Sequence, residues 1–71
     1  MTDIATAYEL AAQWHDKNYR GCLAIAKDEP RIAADIRELA KQAAVHHSAS
    51  AAGLRLAATD LRRKNLNEIA Q

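Results

Sequence analysis

The stretch "KDEPR", residues 27–31, decides the fold. Proline lacks a backbone N–H and its ring collides with the preceding turn. Pro30 is therefore excluded from a helix interior but accommodated in a first turn. Asp28 is of a type that caps a helix N-terminus, and Glu29 would bring negative charge to the positive end of the helix dipole. The segment predicts that one helix ends near Lys27 and that another begins at once. Helix 1 is expected over about 3–27, a turn over 28–30 and helix 2 over about 30–66, where Asn65 and Asn67 weaken it. So short a link makes the helices antiparallel neighbours. Residues whose numbers sum to about 59 then lie side by side. That register sets His15 opposite Ala44, within a turn of His47, and Trp14 near Val45 and His46.

The rest of the chain supports helices throughout. Alanine, the strongest helix former, supplies 17 of 71 residues, and no β-branched runs alternate with turn signals. Thr2 or Asp3 can cap the first helix. Gly21 costs about 1 kcal/mol relative to alanine inside a helix, and "SASAAG", residues 48–53, is a softer stretch; both are kept inside helices. The fold class is all-α, an antiparallel two-helix hairpin in a single domain.

Helical phase then shows how much of each helix is apolar. In helix 1, Ile4, Ala7, Tyr8, Leu10, Ala11, Trp14, Tyr19, Cys22, Leu23, Ile25 and Ala26 share an arc. It spans roughly 220°, against about 100° for a helix that packs on one neighbour. Helix 2 has a main stripe of Ile32, Ile36, Leu39, Ala40, Ala43, His47, Ala51, Leu54, Ala58 and Leu61, and a weaker one nearly opposite at Val45, Ala52 and Leu56. A solitary hairpin has no use for the surplus. The expectation is a homodimer closing into a four-helix bundle, with Trp14, His15, Tyr19, His47, Leu54 and Leu61 in the core or the dimer interface. Helix 2 also outruns helix 1, so Leu61, Leu66 and Ile69 are expected to need cover from a second copy, the tail or a partner.

Size points the same way. Chains this short usually need disulfides, a metal or a second subunit to fold. Cys22 is the only cysteine, which excludes an intrachain disulfide. A lone thiol, no leader-like segment and no apolar run near the ~18 residues of a membrane span lead to the expectation of a cytoplasmic protein without a membrane partner.

Chemistry-bearing constellations are few. His15, Cys22 and His47 are zinc-ligand types, but no CxxC or HxxxH spacing fixes a coordination geometry, so no metal or other cofactor is expected. A cysteine nucleophile needs a concave site, which a hairpin does not provide; no enzyme activity is expected. Ten basic residues against nine acidic ones lack the excess of a dedicated nucleic-acid binder. The basic run near the C-terminus does suit a protein partner, because arginine is enriched at interfaces and clamps carboxylates in pairs. Arg55, Leu56, Arg62 and Arg63 are the expected partner-binding residues.

"AAQWHDKNY", the Pro-marked turn and "HHSASAAGLRLAA", with a W-H … H-x-S-A-x-x-x-x-L-R pattern, resemble the small phage-encoded helical hairpins of the quorum-sensing anti-activator type. The resemblance implies a dimeric hairpin in the host cytoplasm that inhibits a host protein, such as a quorum-sensing transcription factor or a pilus assembly ATPase. It transfers no individual partner-binding residue. A nucleic-acid-associated transcriptional modulator and a metal-stabilised helical module are the alternative readings.

Overall fold

The computed structural model describes residues 3–70, with side chains through Leu66. Two helices, α1 (Ile4–Ala26) and α2 (Ala34–Ala70), pack along their lengths, and there is no strand among the described residues. Asp3 is the cap of α1: its Oδ1 accepts the Thr6 backbone N–H at 2.7 Å, satisfying a donor that the first turn leaves free.

The link is longer than the expected three residues. Asp28 is not the cap of α2; its backbone closes a turn within the link. Its carbonyl accepts the N–H of Arg31 at 3.3 Å and of Ile32 at 3.0 Å, and its carboxylate accepts Arg31 Nε at 2.9 Å. Pro30 lies within that turn, exposed to solvent. The second helix therefore starts at Ala34 instead of residue 30, with the Arg37 N–H donating to the Ala33 carbonyl at 3.0 Å. Arg37 Nε also reaches back to the Ile32 carbonyl at 3.0 Å, tying the end of the link to the helix. At the other end α2 runs through Asn65 and Asn67 to Ala70, past the expected stop near 66. Asparagine's helix penalty of at most about 0.7 kcal/mol is too small to end a helix on its own. Helix α2 also passes unbroken through 48–53.

The longer link shifts the register. His15 meets His47 directly, at numbers summing to 62 instead of 59, and the two arginine–carboxylate pairs join residues whose numbers sum to 71. Three ties confirm the antiparallel arrangement: His15 with His47, Asp16 with Arg55, and Glu9 with Arg62.

The seam between the helices is made of alanine. Among the described residues, Ala5 and Ala12 of α1 and Ala40, Ala44, Ala51 and Ala58 of α2 are the buried apolar ones, and no large side chain is fully buried. Their spacings of four and seven keep them on one stripe, the interval at which residues of paired helices interlock. His15, Tyr19, His47, Leu54 and Leu61 are half-buried along the margins of this seam, whereas Trp14 is exposed. Leu66 is exposed, and the Ile69 side chain lies outside the described residues.

The product is a rod, not a globule. Its extents are 59 × 20 × 11 Å and its radius of gyration is 16.7 Å, against about 11 Å for a compact domain of this length. It exposes 5516 Å², some 1,100 Å² more than the ~4,400 Å² expected of a compact monomer of equal mass.

Candidate functional site

The two broad sides of the hairpin differ in chemistry. On one side, arginines of α2 reach across to carboxylates of α1. Arg55 engages both carboxylate oxygens of Asp16, with Nη1 to Oδ1 at 3.2 Å. Arg62 engages both oxygens of Glu9, with Nη2 to Oε2 at 3.2 Å. Each helix offers its members seven residues apart, so the two forks repeat along the rod. Hydrogen bonds from the guanidinium groups hold the Asp16 and Glu9 carboxyls below their usual range and raise the arginines further. Two of the four residues expected to hold a partner, Arg55 and Arg62, are thus engaged within the chain.

The reverse side is largely apolar, with Asn18 of α1 and the exposed Ser50 of α2 in the same phase. Trp14 lies about 200° around α1 from Asp16, and Leu39 about 160° around α2 from Arg55, so both fall on the flank away from the ion pairs. Ile4, Ala7, Ala11, Trp14 and Ile25 run along α1 at spacings that keep one phase. Ile36, Leu39, Ala43 and Ala57 do the same on α2. Of these, Ile4 is 63% exposed, Trp14 58% and Leu39 60%. Ile36 and Leu39, assigned by phase to the main buried stripe, in fact flank it. The seam admits only methyl-sized groups at its centre, and larger residues one step around the helix are left facing out.

A cluster of three rings marks the middle of this apolar side. His15 and His47 approach Nδ1 to Nδ1 at 2.8 Å, their ring centroids 5.0 Å apart. Trp14 sits edge-on to both, at 5.0 Å from His15 and 5.8 Å from His47, so its indole spans the two helices. The carbonyl of Trp14 also accepts Asn18 Nδ2 at 2.8 Å. Such edge contacts between aromatic rings add about 0.5–1.5 kcal/mol beyond the area they bury. The sequence placed these rings close together; the shifted register turns proximity into direct contact.

Cys22 does not join them. It is half-buried two turns beyond His15, about 10 Å along the helix. Among the described residues no three His, Cys, Asp or Glu side chains converge as a metal site. His46, beside His47, is exposed.

The outer edge of α2, away from α1, carries the remaining residues expected to hold a partner. Leu56 is 65% exposed and Arg63 is exposed. Val45 and Ala52 share this edge with them, in the second stripe read from the sequence. The chain matches no protein-family model, no curated protein and no solved structure. No helix is long and apolar enough to cross a membrane among the described residues.

Proposed function

We propose that this chain is a non-enzymatic protein-binding protein that pairs with a second copy and acts by stoichiometric inhibition of a host protein. The observation that carries this reading is the exposed apolar side, from Ile4 to Ile25 on α1 and from Ile36 to Ala57 on α2. A stable interface takes about 800 Å² from each partner, and the rod exposes about 1,100 Å² more than a compact monomer would. Two copies related by a two-fold axis would each present the same patch, the commonest way for a small soluble protein to complete its core. Joining the apolar sides makes a four-helix bundle. The ion-paired sides and the outer edges of α2 then face outward.

On this reading Leu56 and Arg63 meet the inhibited protein, and Arg55 and Arg62 border the contact while bracing the hairpin. The target class follows the resemblance to phage anti-activators: a quorum-sensing transcription factor or a pilus assembly ATPase of the host. Sedimentation equilibrium at micromolar concentration is expected to return twice the 7.8 kDa chain mass; a monomer would overturn the pairing. Arg63→Glu is expected to stay folded and dimeric while losing its hold on a purified autoinducer-responsive regulator. Undiminished blocking of that regulator's DNA binding by the folded variant would move the contact elsewhere.

A further inference from the structure

The ring cluster contains an arrangement that packing alone does not require: two imidazoles meeting nitrogen to nitrogen. A hydrogen bond between two ring nitrogens needs one hydrogen and one lone pair. With both rings neutral, one tautomer carries Nδ1–H and the other leaves Nδ1 open. A first added proton preserves the bond, because a cationic ring still donates to its neutral neighbour. A second added proton destroys it. Two N–H groups then point at each other across 2.8 Å, and two positive charges sit on rings 5.0 Å apart. Both rings are half-buried and Trp14 touches both, so they cannot part without disturbing the indole.

We propose that the His15–His47 pair is a one-proton latch between the helices, closed while at least one ring is neutral and opened when both are protonated, so that acidification loosens the centre of the apolar side. The latch is a property of the single hairpin and does not rest on the dimer.

The charged and titratable neighbours offset the second charge only in part. On α1 these are Asp16 and Tyr19. Asp16 attracts a charged His15 but is itself bound to Arg55, so the two together bring no net charge. On α2 the neighbour is His46, which is exposed and adds further positive charge when protonated. Acid release of the Asp16 and Glu9 ion pairs occurs at lower pH, because both carboxyls are held below their usual range.

The test follows the full chain from pH 7.5 to pH 5. Chemical denaturation reads stability, ¹⁵N NMR of the labelled histidines reads protonation, and fluorescence of Trp14, the single tryptophan, reports on the cluster. With the bond intact, the folded pair holds one proton fewer than the unfolded chain once free imidazole is protonated. The unfolding constant is then expected to rise about tenfold per pH unit below about pH 6.5. His47→Asn supplies an amide that can accept from His15 without being protonated, and its stability is expected to stay level across the same range. His15→Asn serves equally should the first variant fail to fold. A wild-type protein whose stability does not change between pH 7.5 and 5, or a folded asparagine variant with an undiminished slope, would overturn the latch. Sedimentation at pH 7.5 judges the pairing of copies separately, since a monomer there would refute the dimer while the slope is still read on the hairpin.

Discussion

Replacing Ala51 by leucine tests whether alanine sets the distance between the helices. Ala51 is 2% exposed, and Ala12 of the facing helix is fully buried. Leucine adds an isopropyl group where neither helix leaves space. The helices must then separate, loosening the seam and the nearby His15–His47 bond, or the new side chain must adopt a strained rotamer. Overfilling a packed core costs about 1–3 kcal/mol. A 71-residue domain has only about 4–10 kcal/mol of stability in all. In a domain of this size each kcal/mol moves the melting temperature by about 4–8 °C, so Ala51→Leu should melt about 5–20 °C below wild type. Ala52→Leu is the control. Ala52 is exposed on the outer edge, both residues are strong helix formers, and the change should stay within about 0.5 kcal/mol. Thermal melts followed by circular dichroism, at one fixed protein concentration because association raises the apparent melting point, make the comparison. Ala51→Leu melting at or above wild type, with Ala52→Leu falling, would place the seam on the wrong stripe.

A Cβ at Gly21 or Gly53 meets nothing within 4 Å, and both glycines lie inside helices. Alanine at either position should therefore stabilise by about 0.5–1 kcal/mol; a lower melting temperature would show that something outside this hairpin packs there. Leu39→Glu puts a charge on the apolar side and should weaken self-association in sedimentation while leaving the hairpin's helicity intact; an unchanged dimer would remove Leu39 from the interface. The lowered Asp16 and Glu9 carboxyls contribute stability above the ordinary carboxylate range and lose it as pH falls through their depressed values, below about pH 4. Both groups face solvent, so the acid-sensitive part should be small and should shrink further in high salt, as acid titrations at two ionic strengths would show.

The hairpin was legible in "KDEPR", because a proline beside capping residues has few places to go. The register was not. Whether Asp28 caps a helix or closes a turn depends on where the Arg31 side chain goes, and helix-start rules say nothing about a residue three positions on. The alanine seam was hidden for a different reason. Hydrophobic phase ranks residues by transfer energy, which favours Ile36, Leu39 and Trp14 for the core, whereas close helix contact selects by size. The ion pairs of Arg55 and Arg62 needed the true register, since Asp16 and Glu9 are 39 and 53 residues away in sequence. The meeting of rings was readable in outline from the expected register, which set His15 within a turn of His47; their mutual hydrogen bond was not.

A body only 11 Å thick in its least dimension is two rods laid side by side, with a front and a back and nothing between. Almost every side chain borders water or another molecule, so a substitution on the front leaves the back nearly untouched. On the function proposed above, one side of such a ribbon would serve self-recognition and leave the other free for a target.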